Sequence, residues 1–338
     1  MFYNNKMSIL YQDLLIIIIS YFSDLHNLLK LRCINKSFKN IIYNNIKYTH
    51  EVKQKSIYHK LIKVMKNIKF ILRIHLDGSD KHILPARHNI IKLMSSSWSL
   101  TKIHKLTNLT SLSLGGQNDS ISDDSLSQLI NLTELRFCYN KCVTDKSISK
   151  LINLKILYLN FDIPYVTDES VSKLINLRVL SLKDNRTITN NSVSKLINLE
   201  ELYLTLSARI TDECLPKLPK LTCLDLTYRS KITNFGISNL YNLQYLNLSK
   251  NTKIINISLS NLTQLILRNN DVITDECLST LTQLTVLDIR RNNIITDASF
   301  SNLVNLTDIY IDSDKEDKYN FSKLKNIKNI HLCKNKEY

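Results

Sequence analysis

The feature that most constrains this chain is a period. From Leu109 onward, self-similar segments return: "ISDDSLSQLINLTELRF", "VTDKSISKLINLKILYL", "ITDECLPKLPKLTCLDL", "ITDASFSNLVNLTDIYI". The apolar residue that opens each L-x-x-L-x-L stretch falls at Leu109, Leu132, Leu154, Leu177, Leu199, Leu221, Leu243, Leu262, Leu284, Leu306 and Ile327. The steps are 22 or 23 residues, except one of 19 and a last one of 21. A unit this short cannot bury its own apolar face. Its neighbours must do so, and the expected architecture is a stack.

The chemistry of one unit follows from side-chain geometry. In L-x-L the two leucines point to the same side of a short strand, because side chains alternate with period two. Successive strands then pair in parallel along the inside of a curved solenoid. Three residues beyond the second Leu stand Asn140, Asn185, Asn251, Asn270 and Asn292. An amide there can satisfy backbone groups of its own turn and of the neighbouring unit. Gln117, Asp162, Ser207, Arg229 and Asp314 take that slot elsewhere, so the ladder is incomplete. The I/V-T-D that follows places Thr or Asp to cap a helix, and a helix is expected on the convex side of each unit. Between Leu248 and Leu265 the cap and about one helical turn are missing, which predicts an extended convex segment. "ILRIHL" at 71–76 reads as an earlier, worn repeat, and the unit from Ile327 to Leu332 as a degenerate cap.

Residues between the strand leucines face the concave side: Ser113, Arg136, Tyr158, Ser181, Tyr203, Asp225, Asn247, Ile266, Asp288, Tyr310 and His331. Neighbouring outward positions add Glu134, Ile156, Glu201, Tyr245, Arg290 and Asp308. Tyr and Arg combine large contact area with a polar tip or fork. The candidate substrate-binding residues are therefore Arg136, Tyr158, Tyr203, Asp225, Tyr245, Asp288 and Tyr310, with a tyrosine stripe through Tyr158, Tyr203 and Tyr245. The competing explanation is that Tyr favours half-exposed strands anywhere.

Charge divides the chain. Residues 1–105 hold 18 Lys/Arg and 5 Asp/Glu, a balance of +13, and the remainder hold 27 and 25, a balance of +2. The basic third suits an acidic partner. The mixed signs of the repeats disfavour a nucleic-acid groove there, leaving 45–105 as the only stretch where one could be sought. Seven cysteines without a C-x-x-C are expected to be reduced, mostly buried thiols of a cytosolic or nuclear protein. Seven of the eight histidines precede residue 105 without metal-ligand spacing to Cys. No nucleophile–base pair or phosphate loop stands out, so neither enzyme activity nor a cofactor nor a metal is expected. The Asn-Leu-Thr triplets at Asn108, Asn131 and Asn305 come from the repeat itself and are given no weight as glycosylation sites.

"LYQDLLIIIISYFSDL" at 10–25 poses a separate problem. Its longest apolar run, nine residues, is too short for a span of roughly 20, and no small-residue cleavage site follows. Helical spacing continues through Phe38 and Ile41, giving a small helical unit too thin to hide Ile16–Ile19 by itself. A second polypeptide is expected to cover it.

Two resemblances follow. The repeats resemble leucine-rich repeats of the cysteine-containing, F-box-associated kind. The opening forty residues look like an F-box. Leu10, Leu14, Leu15, Ile18 and Ile19 match its first part, Leu25, Leu28, Leu29 and Leu31 its middle, and Ile34, Lys36 and Phe38 its end. Tyr11 stands where Pro is usual, Asn35 for Cys, and Phe38 for Trp. The combination implies a non-catalytic substrate receptor of a cullin-type ubiquitin ligase. Its F-box would dock a Skp-type adaptor through Leu10, Leu14, Leu15, Ile18, Ile19, Phe22, Leu28, Ile34 and Phe38, and the repeats would hold a protein substrate. The alternative is a stand-alone repeat scaffold. The Asn/Ile/Lys-heavy composition resembles proteins of large DNA viruses or AT-rich protists, and a viral chain would work in the host cytoplasm. The expected fold is α/β: a leucine-rich-repeat solenoid with parallel strands on its concave face, preceded by an all-α F-box-like unit. Its expected parts are an F-box-like domain at 7–45, a basic linker with a cap or worn repeats at 46–100, and about eleven repeats at 101–338.

Overall fold

The computed structural model describes residues 103–334 apart from 115–118, 120, 162 and 229, together with the backbone of three upstream strands. The F-box-like stretch lies outside the described residues.

In each of the eleven repeats the L-x-L stretch falls on a strand, and the described strands join in chain order into one parallel sheet of 14. The three upstream strands are β1 (Tyr48–Val52), β2 (Phe70–Ile74) and β3 (Ile90–Ser95). "ILRIHL" thus contributes a strand to the stack. The eleven repeats then supply β4 (Ser111–Leu114), β5 (Glu134–Cys138), β6 (Ile156–Asn160), β7 (Val179–Ser181), β8 (Glu201–Tyr203) and β9 (Cys223–Asp225). They are completed by β10 (Tyr245–Asn247), β11 (Gln264–Ile266), β12 (Val286–Asp288), β13 (Asp308–Asp312) and β14 (Asn329–Cys333). The inner units feed matching apolar positions into one continuous core; Leu132, Leu135, Phe137, Val143, Ile148 and Leu151 are all buried in the second repeat.

The chain leaves the strands from β5 to β12 by a left-handed step. Tyr139, Phe161, Asp184, Leu206, Tyr228, Lys250, Asn269 and Arg291 all have φ between 49° and 68°. None is glycine, and each such step costs roughly 1–2 kcal/mol. Where an asparagine follows, as it does after five of them, its amide offsets this. Asn185 Oδ1 accepts from the Thr187 and Ile188 amides at 3.0 and 2.9 Å, while its Nδ2 donates to the Leu159 carbonyl of the preceding unit at 3.0 Å. Asn140, Asn251, Asn270 and Asn292 make the equivalent set. Where other residues take the slot, neighbouring groups contribute: Ser230 Oγ accepts the Ile232 amide at 3.0 Å, and Lys315 Nζ donates to the Asn292 carbonyl at 3.0 Å.

The convex side departs from expectation. Instead of full helices, most units have a single turn: α1 (Asp123–Leu126), α2 (Asp145–Ile148), α3 (Asp168–Val171), α4 (Asn190–Val193), α5 (Asn234–Ile237) and α6 (Asp275–Ser279), with 3-10 turns elsewhere. Within about 22 residues, the strand, the asparagine turn and the return leave room for no more. The T-D pair divides its labour. Thr144, Thr167, Thr189, Thr233 and Thr296 cap their turns, each accepting the amide two residues on. The Asp instead reaches into the next unit. Asp145 accepts the Thr167 amide at 2.8 Å and its hydroxyl at 2.6 Å, and Asp123, Asp168, Asp212 and Asp275 do likewise.

The segment between Leu248 and Leu265 carries no helix, as its missing cap predicts. Asn234 holds it through the Ile255 amide at 3.0 Å, and Ile257 and Leu259 plug the core. The missing turn leaves a convex hollow of about 510 Å³ beside Cys277 and Thr280. In β14, Ile330 and Leu332 occupy core-side positions yet are 38% and 44% exposed. Among the six described cysteines only Cys214 and Cys277 are buried, so "mostly buried" overstated the thiols.

Candidate protein-binding surface on the concave sheet

Strand register places the concave residues in rows. Ser113, Arg136, Tyr158, Ser181, Tyr203, Asp225, Asn247, Ile266, Asp288, Tyr310 and His331 are Cα partners from strand to strand and form the middle row. A second row holds Glu134, Ile156, Val179, Glu201, Cys223, Tyr245 and Gln264. Tyr245 therefore stands beside Cys223 and outside the line of Tyr158 and Tyr203. The expected three-tyrosine stripe is a pair, with Tyr245 displaced to the next row.

Two clusters organise this face. In the first, Arg136 Nε donates to Glu134 at 2.6 Å, and its guanidinium lies 3.9 Å from the centre of the Tyr158 ring. Burial alone would lower the Arg136 pKa, but the Glu134 hydrogen bond and the Tyr158 ring together raise it. Tyr158 and Tyr203 lie two strands apart, roughly 9–10 Å for upright side chains. Ser181 between them is small and buried, so the rings lean together over it to a centroid distance of 6.4 Å. The Tyr203 hydroxyl donates to Glu201 at 2.7 Å, and burial together with that bond pushes its pKa well above the usual phenol value. The result is a half-exposed aromatic shelf edged by one fixed cation and two carboxylates.

In the second cluster Asp288 is the buried anchor. Arg268 Nε donates to it at 2.6 Å, and Arg290 donates through Nε at 2.9 Å and Nη2 at 2.5 Å. Asp288 is only 1% exposed, which corrects its reading as a contact residue. The surfaces offered are the arginines above it, and Arg268 was not among the sequence candidates. Its signal was present: it stands two positions beyond Ile266, on the same outward face. Arg290 also lies 5.4 Å from the Tyr310 ring, which stacks on His331 at 4.1 Å. His331 Nε2 approaches Asp308 at 3.2 Å. Between the clusters lies a polar saddle, where Asp225 is held by Thr205 at 3.3 Å and Asn247 at 3.0 Å. Tyr245 borders it, its pKa pushed up to about 12 by burial and the Asp225 charge. From β8 to β12 is four strand steps, roughly 19 Å, so one extended ligand segment could span both clusters.

A sequence model of the Leucine Rich repeat family matches residues 258–281. Among solved structures, a leucine-rich-repeat protein of Leptospira interrogans is similar at a TM-score of 0.55 and 20% identity, over 85% of this chain and 88% of that one. TLR13 in its complex with ssRNA13 gives 0.53 and 20%, over 87% of this chain and about half, 52%, of that one. A chain of the Rad7 and Elc1 complex in yeast gives 0.47 and 16%, over 78% of this chain and 67% of that one. None of the curated protein sequences matches. The chain has the leucine-rich-repeat fold. At such identities the likeness to these structures is one of fold alone. No enzyme family is indicated. The concave face of this leucine-rich-repeat fold offers fixed cations, aromatic faces and satisfied carboxylates.

Proposed function

We propose that the chain is the substrate receptor of a cullin-type ubiquitin ligase, with an F-box at 7–45 docking a Skp-type adaptor and the concave sheet holding a protein substrate. The observation that carries this reading is the pairing of the Leu10–Phe38 pattern with a solenoid bearing two arginine–aromatic clusters. Such a chain performs no chemistry; it raises the effective concentration of substrate lysines near a conjugating enzyme held elsewhere in the assembly. It works in the cytoplasm or nucleus, where its thiols stay reduced.

The test is capture of a purified Skp-type adaptor by the full chain. Binding is expected, with loss in Leu14→Asp/Ile18→Asp and an unchanged melting temperature. A second reading, a stand-alone scaffold, draws on β1 beginning at Tyr48, just after the stretch 7–45 whose sequence spacing is helical. There the same helices would close the end of the sheet. A double variant that lowers the melting temperature of the repeats, with no adaptor bound by the parent chain, favours it.

A further inference from the structure

The lateral edge of the solenoid, where each unit turns into its strand, carries a pattern separate from the concave face. Ile130, Ile152, Ile175 and Ile197 occupy one position in four successive units, and each is 53–56% exposed. Their main chain is tightly held. The asparagine after each one donates to the carbonyl of the previous isoleucine: Asn153 to Ile130, Asn176 to Ile152 and Asn198 to Ile175, all at 3.0 Å. The repeat therefore fixes a row of large apolar side chains in water, which soluble surfaces seldom do without a partner.

Cations flank the row on both sides. Two residues before Ile152, Ile175, Ile197 and the equivalent Pro219 come Lys150, Lys173, Lys195 and Lys217, whereas Gln128 precedes Ile130. On the other side Lys155, Arg178 and Lys220 line an open hollow of about 530 Å³. At these flanking positions between 150 and 220 there are seven cations and one acid. That acid, Glu200, is occupied by Arg178 through two bonds of 2.8 and 2.7 Å. Lys173 also meets Glu169, at an exposed 3.5 Å, where such pairs contribute little.

We propose that this edge docks an acidic amphipathic helix of a partner protein. An α-helix advances 5.4 Å per turn, and the units repeat at about 4.8 Å in the sheet and more widely toward the convex side. One apolar residue per turn can therefore meet one isoleucine per unit across all four, while carboxylates on either flank of that helix reach the lysines. The N-terminal third of this same chain, at +13, carries the wrong charge to be the occupant. A nucleic acid would satisfy the lysines but leave the isoleucines against water. This docking does not depend on how the concave face is used.

The test uses the full chain and a fluorescent 18-residue peptide with Leu at i, i+3, i+4 and i+7 spacing and Glu elsewhere. A control peptide has the same composition with Leu evenly scattered, and vesicles containing phosphatidylserine form a third arm. The patterned peptide is expected to bind, tighter at low salt, with at least tenfold weakening in Ile152→Asp/Ile175→Asp and several-fold weakening in Lys150→Glu/Lys195→Glu. The lysine variant alters only exposed side chains, so it reads the surface even if the isoleucine variant folds poorly. Equal binding of both peptides, or no binding of the patterned one, overturns the proposal. So does sedimentation with the vesicles through these isoleucines while the peptide stays free.

Discussion

Asp288 lies beneath Arg268 and Arg290 because the concave row turns one small acidic side chain toward the sheet and two long basic ones over it. Burial pushes its carboxyl up to about 6, even with Arg268 pulling the other way. An unfolded aspartate titrates near 3.9. A carboxyl raised in the folded state binds its proton more tightly there, so its contribution is full below about pH 4 and is lost as pH rises through about 6. Asp288→Asn removes that ionisation. Relative to the parent, its melting temperature should be higher at about pH 7.5 than at about pH 4.5, as measured by calorimetry. A difference independent of pH would mean the arginines keep Asp288 ionised throughout. At this scale the row itself was legible, since L-x-L fixes which side chains face outward. That Asp288 is covered was not, because covering depends on Arg268 and Arg290 in two different units.

At the scale of elements, the T-D pair shows what a local motif conceals. Sequence identifies a helix cap, and the threonines are that cap. The aspartates' work lies in the next unit, some 22 residues away, where local reading does not reach. Asp145 holds both the amide and the hydroxyl of Thr167. Burial by itself would raise its pKa, but hydrogen bonds from Ser170 and Thr167 prevail and keep it below the ordinary value. Asp145→Ala should destabilise by about 1–3 kcal/mol through the unpaired Thr167 groups. Asp145→Asn should lose less, since Asn190 already fills this place in one unit. Its Oδ1 accepts from the Thr211 amide at 3.0 Å and its Nδ2 donates to the Thr211 hydroxyl at 2.7 Å. A depressed carboxyl stabilises above the unfolded value and is lost as pH falls through the folded one. The gap between parent and Asn variant should accordingly shrink below about pH 4, and denaturant titrations at several pH values read it directly.

The described residues form one stack, in which an inner unit is covered by a neighbour on each side and six apolar residues per repeat suffice. In β14, Ile330 and Leu332 are partly exposed, and among the described residues no further strand pairs with it, which makes it a template for association. Ile330→Lys/Leu332→Lys should reduce concentration-dependent association in sedimentation experiments while leaving the melting temperature nearly unchanged. A large loss of melting temperature would show those side chains to be part of the core after all.

The sequence by itself determined the period, the strands, the core positions, the asparagine turns, the one unit without a helix and the outward rows, because each follows from alternation or spacing within a single repeat. Only the tertiary structure decided what crosses between repeats: the lean of Tyr158 toward Tyr203 over Ser181, the cover over Asp288, the aspartate ladder, and the row of four exposed isoleucines with cations on both flanks. The physical reason is that a repeat specifies its own backbone locally. Which side chains meet depends on stacking units a strand spacing apart, and that brings together residues some 20 or more positions distant.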